Sequence, residues 1–76
     1  MKKTFDVILG TLDVTECTAV NPDSGNREFA LIVKGNLWDV PTVVFGAKMP
    51  ESQLEALELM TDAVTASTDL ETVEIL

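Results

Sequence analysis

The spacing of apolar residues changes once along this chain, close to residue 50. Before that point apolar and polar residues alternate in several short runs, with the period of two that is typical of β-strands. After it, Leu54, Leu57, Met60, Thr61 and Val64 recur at intervals of three and four residues, as on one face of an amphipathic helix. The pattern predicts strands followed by one helix, which is an α+β fold.

The first predicted turn lies where the phase of the alternation reverses, across Gly10-Thr11. A type II′ turn with glycine at its first central position would pair Val7 with Val14 and would keep the apolar residues of both strands on one face. A β-bulge at Gly10 within one long strand is the alternative interpretation.

The second predicted turn is the polar cluster of residues 21–26, in which proline and glycine both favour chain reversal. Folding the chain about this loop sets Val14 beside Val33 on the apolar face. It also sets Asp13 beside Lys34 on the other face, as an opposite-charge cross-strand pair.

A third turn is predicted at Gly35-Asn36, and a fourth strand follows it. Pro41 falls inside this strand and has no N–H group to donate to a sheet. The fourth strand should therefore lie at an edge or contain a bulge.

The start of the helix is indicated by two features. Pro50 suits the first helical position, and Ser52 with Glu55 has the spacing of a capping box. The predicted elements are strands at about 4–9, 12–20, 27–34 and 37–45, a helix at 50–66 and a short last strand within 69–76.

The resulting β-β-β-β-α-β order predicts one α+β domain over residues 1–76, in which a four-stranded antiparallel meander and a helix form a two-layer sandwich. The last strand is expected to add beside the first, giving the order 5-1-2-3-4. The predicted core is Phe5, Val7, Leu9, Leu12, Val14, Phe29, Leu31, Val33, Trp38, Val40, Leu54, Leu57 and Val64. The far sheet face should show Thr4, Asp6, Ile8, Thr15, Cys17, Ala30 and Ile32.

The residues that most catalytic and metal sites require are scarce in this sequence. There is no histidine, and the single cysteine, Cys17, stands next to Glu16 with no base nearby, so a structural thiol is expected. The loop around Asp23 lacks the glycine and glutamate spacing of a calcium loop. No phosphate-binding loop is present. The sequence therefore predicts neither an enzyme nor a cofactor or metal.

The distribution of charge is the best indication of a partner. Residues 49–76 carry seven acids and no base, so they sum to −7, whereas residues 1–48 sum to −1. Such a field repels nucleic acid and attracts basic protein surfaces. The candidate partner-binding residues are these seven acids: Glu51, Glu55, Glu58, Asp62, Asp69, Glu71 and Glu74.

The four helix acids are expected to form one stripe that faces away from the core. From Glu51 to Asp62 that stripe spans about 16 Å, at about 1.5 Å per residue. One DNA strand places about five phosphates along the same length. A surface that mimics DNA is therefore geometrically possible.

In size, acidity and αβ composition the chain is similar to phage-encoded inhibitors such as anti-CRISPR proteins and uracil-DNA glycosylase inhibitors. That resemblance implies a cytoplasmic inhibitor or adaptor that docks on the basic surface of a nucleic-acid-handling complex, without binding nucleic acid or membrane itself. The alternative is a phage or mobile-element assembly protein that homodimerises or adds a strand, through edge strands and a far face carrying Ile8 and Ile32.

Overall fold

The computed structural model describes residues 1–8, 10–35, 41–63, 66 and 69–76. Its elements are β1 (Lys2–Val7), β2 (Gly10–Val20), β3 (Arg27–Gly35), β4 (Thr42–Phe45), α1 (Gln53–Ala63) and β5 (Glu74–Ile75). Strands β1 to β4 form an antiparallel meander, and the helix follows it before a short final strand. This confirms the predicted α+β fold and its β-β-β-β-α-β order.

The first hairpin turns earlier than predicted. Val7 pairs with Gly10 instead of Val14, so the reversal lies between these two residues, and both the Gly10-Thr11 turn and the β-bulge alternative are wrong. Gly10 follows the reversal with a φ of 151°, a conformation that favours glycine. Leu9 lies outside the described residues. The predicted and observed registers differ by an even number of residues, so both put the same apolar side chains on one face.

The pairing of β2 with β3 has the predicted register, with Val14 opposite Val33 and Asp13 opposite Lys34. Asp13 makes its ion pair with Lys2 of β1, however, at 3.7 Å between Nζ and Oδ2. The loop of residues 21–26 is closed by a hydrogen bond from the Gly25 N–H to the Asn21 carbonyl oxygen, 2.7 Å long. Gly25 has a φ of 74°, which explains the glycine at this position.

Strand β4 begins directly after Pro41 and, within the described part of the chain, pairs only with β3, which makes it an edge strand as predicted for a proline-containing strand. Val33 pairs with Thr42 in this hairpin. Residues 36–40 lie outside the described part of the chain. The predicted Gly35-Asn36 turn and the first half of the predicted fourth strand fall on or beside them.

The last strand lies beside β2 and not beside β1, so the predicted order 5-1-2-3-4 is wrong. The reason is the length of β2. Its 11 residues extend beyond the six that pair with β1, and β5 occupies the same edge at Cys17 and Thr18. Glu16 joins the two segments, because its N–H donates to the Met1 carbonyl and its carbonyl accepts from the Leu76 N–H.

The helix is shorter than predicted at both ends, and Pro50 is buried ahead of it. The capping interaction is present: the Glu55 N–H donates to the Ser52 Oγ at 3.2 Å. The Glu55 carboxylate accepts from the N–H of Glu51, at 2.9 Å, which is one residue earlier than in a standard capping box. Glu55 therefore has a structural role at the helix start.

The main core lies between the helix and one face of the sheet. Its buried members are Val7, Leu12, Val14, Leu31, Val33, Val44, Ala56, Leu59 and Ala63, with Phe5 and Leu57 partly buried against them. Leu54 and Phe29, which were predicted in the core, are 68% and 42% exposed. The helix presents Ala56, Leu59 and Ala63 to the sheet, a stripe that the spacing of its larger residues did not indicate. The remaining predicted core residues, Leu9, Trp38, Val40 and Val64, lie outside the described residues.

The far face of the sheet carries a second apolar cluster. Cys17, Ala19, Ala30 and Val43 are buried there, and Ile32, Phe45 and Val73 pack against them. Of the residues predicted for the far face, Thr4 and Asp6 of β1 are exposed, whereas Cys17 and Ala30 are fully buried. Burial raises the pKa of the Cys17 thiol, which keeps it protonated and chemically quiet.

Candidate functional site

The four acids of the predicted helix stripe, Glu51, Glu55, Glu58 and Asp62, are all exposed, but the stripe does not face away from the core. Three of them line a groove of about 300 Å³ together with buried Leu59 and with Lys48. The stripe therefore borders the packed side of the helix. The difference from the prediction follows from the helix orientation. Of the two leucines, Leu59 is buried against the sheet, whereas Leu57 is only partly buried.

A second groove, of about 420 Å³, continues from the first, and Asp62 and Ala47 belong to both. Three consecutive strand residues line it, Val43, Val44 and Phe45. Since neighbouring side chains of a strand point to opposite faces, a groove that meets all three lies along the edge of β4.

A third concavity of about 160 Å³ adjoins the second and shares Pro22 and Phe45 with it. Its far wall includes Asp69. We call the three connected depressions the β4 groove. Its lining contains the carboxylates of Asp23, Glu55, Glu58, Asp62 and Asp69 and one ammonium group, that of Lys48.

The structure thus brings together part of the predicted set of acids. Glu51 stands at the start of the helix beside Glu55. Glu74 lies instead on β5, at the opposite side of the sheet, where it forms an ion pair with Arg27 at 3.8 Å. Glu71 follows Asp69, to whose Oδ1 its N–H donates, and it does not line the groove.

Two groove residues, Asp23 and Lys48, were not among the predicted site residues. Asp23 was assigned to a turn, and Lys48 stands immediately before the acidic segment. The sequence did contain a signal for Asp23, because the predicted β2–β3 register already placed its loop at the end of the sheet where β4 finishes.

The loop wall of the groove is held by side-chain hydrogen bonds to Glu28. The Ser24 hydroxyl donates to Glu28 Oε2 at 2.6 Å, and the Asn21 amide donates to Oε1 at 3.2 Å. These two bonds, first that from Ser24, lower the pKa of Glu28 below its ordinary value. Asn21 Oδ1 also accepts from the Asp23 N–H at 3.0 Å, which fixes Asp23 relative to β2.

We expect Ser24→Ala to raise the pKa of Glu28 toward its ordinary value. A lowered folded pKa stabilises the native state above the unfolded pKa, and this contribution is lost as pH falls through the folded pKa. The variant should therefore lose less stability on acidification than the wild type. Carboxyl chemical shifts followed by NMR measure the pKa, and Thr61→Ala, which removes an exposed hydroxyl on the helix away from the loop, is the control. An unchanged Glu28 titration in Ser24→Ala would contradict the assigned hydrogen bond.

The groove combines carboxylates with apolar side chains. In the described ranges no three His, Cys, Asp or Glu side chains are grouped so as to hold a metal ion. The described helix lacks the length and apolarity needed to cross a bilayer. What the groove offers is an apolar floor bordered by carboxylates, an arrangement that favours a basic, partly apolar protein segment.

Comparison with known proteins gives the chain no relative. No family model matches it, and neither the curated proteins nor the solved structures include a significant match.

Proposed function

We propose that this chain is a small acidic binding protein that docks on a basic, nucleic-acid-binding surface of a partner and acts there as an inhibitor or adaptor. The type of protein we propose is a phage anti-defence protein, an anti-CRISPR protein or a DNA mimic, that acts in the host cytoplasm. The observation that carries the proposal is the β4 groove, whose adjoining depressions are lined, among the residues that the structure describes, by five carboxylates and one ammonium group.

The position of these carboxylates supports binding better than net charge alone does. Helix surfaces usually carry both signs, because acid–base pairs at three and four residues stabilise the helix and like charges destabilise it. Here Glu55, Glu58 and Asp62 of the helix follow one another at those spacings with no base among them. Asp62 is also in the last turn of the helix, where the dipole disfavours a negative charge. Binding to a basic surface would account for both of these costs.

A charge change in the groove should weaken binding to the partner and leave the fold intact. We expect Glu58→Lys with Asp62→Asn to lower affinity by about tenfold or more, because an attractive contact becomes repulsive. The double change moves the net charge from −8 to −5, since lysine for glutamate adds two and asparagine for aspartate adds one. Glu55 is left intact because its carboxylate caps the helix.

The matched control is Asp6→Lys with Glu71→Gln, which changes the net charge equally at exposed positions outside the groove. Partners captured from a bacterial lysate by the wild type and the control, but not by the groove variant, should be released by double-stranded DNA and by rising salt. Equal capture by all three proteins, or capture insensitive to both DNA and salt, would contradict the proposal.

An assembly protein that homodimerises through strand addition is the second candidate. The observation in its favour is that β4 ends the sheet as an edge strand. Pairing two β4 edges would bring two acidic grooves together, however, which costs electrostatic energy at moderate salt. Sedimentation at high protein concentration decides this, since a strict monomer rules the homodimer out.

A further inference from the structure

We propose that the β4 groove receives an extended segment of the partner, which adds to the sheet as a strand beside β4. The inference rests on the proposed function, from which it takes the basic charge of the partner. It goes beyond that function because it names the binding mode. Its basis is that β4, among the strands that the structure describes, pairs with β3 alone. Apart from that ladder, no backbone hydrogen bond within the described ranges involves residues 42–46.

The length of the open edge is defined at both ends. Pro41 precedes β4 and has no N–H to donate, while Gly46 ends the extended backbone with a φ of 76°. The four residues between them span about 13 Å, at about 3.3 Å per residue. In an antiparallel ladder alternate residues direct both N–H and C=O outward, so about four hydrogen bonds are open to an added strand.

The two sides of the groove define the chemistry of that strand. On the helix side, an added strand would run past Asp62, with Glu58 beyond it. On the other side it would meet Phe45 and Val43 of the far-face cluster. Because strand side chains alternate between faces, the geometry fits a segment in which basic and apolar residues alternate.

A second copy of this chain fits the groove less well than a basic partner. Its own β4 reads Thr42-Val43-Val44-Phe45, with no basic residue to place opposite Asp62, and it brings a second set of carboxylates. The occupant we commit to is therefore a basic, extended segment of another protein.

The test uses an eight-residue peptide of alternating lysine and valine, with its fully backbone-N-methylated form as the control of equal charge. We expect the N-methylated peptide to bind the full-length protein at least about tenfold more weakly, because it has lost the N–H donors that pair with β4. Calorimetry gives the affinities. In hydrogen exchange, the unmodified peptide should protect alternate amides within residues 42–46.

Three results would overturn the inference: equal binding of both peptides, no binding of either, or protection that maps away from β4. Failure here is distinguishable from failure of the proposed function. Suppose that both peptides bind equally and that both bind the Glu58→Lys, Asp62→Asn variant more weakly than the wild type. The acidic groove would then still recruit basic segments, but without strand addition. Release of captured partners by DNA tests the proposed function independently of either peptide.

Discussion

Replacing Leu31 by alanine is expected to destabilise the protein by about 2–5 kcal/mol, the range for removing a large aliphatic side chain from a packed core. Leu31 is fully buried near the middle of β3, where it pairs with Glu16 of β2 on one side and with Val44 of β4 on the other. The truncation leaves a cavity between the sheet and the helix that neighbouring side chains fill only in part. A chain of 76 residues buries a modest fraction of its surface, so this loss should remove much of its stability.

Urea unfolding followed by circular dichroism measures this effect as a fall in the midpoint with a similar slope. The matched control is Leu54→Ala, the same chemical change on the helix at a residue that is 68% exposed. It should alter stability by no more than about 0.5 kcal/mol. If the two variants lost equal stability, the observed orientation of the helix would be wrong, and the core predicted from residue spacing would be favoured instead.

The first two of the three hairpins in the described sheet show what a sequence pattern can specify. The β2–β3 register was predicted correctly, because a loop rich in turn residues fixed the point of reversal. The β1–β2 register was not, because registers that differ by an even number of residues bury the same side chains. Only the position of Gly10 could have distinguished the two registers. A glycine with positive φ is compatible with a place inside the turn, as predicted, and also with the place directly after the turn, as observed.

The predictions of the buried helix face and of the position of the last strand were wrong for different reasons. Alanine is compatible with either side of a helix, so the prediction from spacing relied on Leu54 and Leu57. In the structure Ala56 and Ala63 are buried and allow the close approach of the helix to the sheet. The position of β5 depended on the unpaired end of β2, which was not evident until the first hairpin had its true register.

The candidate site was predictable as a linear feature and not as a shape. The acidic stripe follows from residue spacing alone, and the observed helix carries three of its four members, Glu55, Glu58 and Asp62. The groove requires the helix rotation, the edge of β4 and the loop carrying Asp23, and the whole of β3 lies between that loop and β4 in the sequence. Tail acids such as Glu74 were included on charge alone, and the actual path of the chain carries Glu74 to the other edge of the sheet.

The second large effect is expected from Ala30→Asp, on the far face of the sheet. Ala30 is fully buried between Cys17 of β2 and Phe45 of β4. A carboxylate placed there loses its hydration without gaining a partner, which should cost several kcal/mol and leave little folded protein at neutral pH.

The pH dependence of Ala30→Asp separates this cause from loss of packing alone. Burial raises the pKa of the introduced carboxyl in the folded state, so the penalty is present above that pKa and is relieved as pH falls toward the unfolded pKa. Moderate acid should therefore restore part of the stability difference from the wild type. Ile8→Asp is the control, because Ile8 was assigned to the same face but is 81% exposed and should tolerate the change within about 0.5 kcal/mol. Wild-type stability in Ala30→Asp would mean that solvent reaches this face, and the apolar side of the proposed strand-addition groove would then lose its basis.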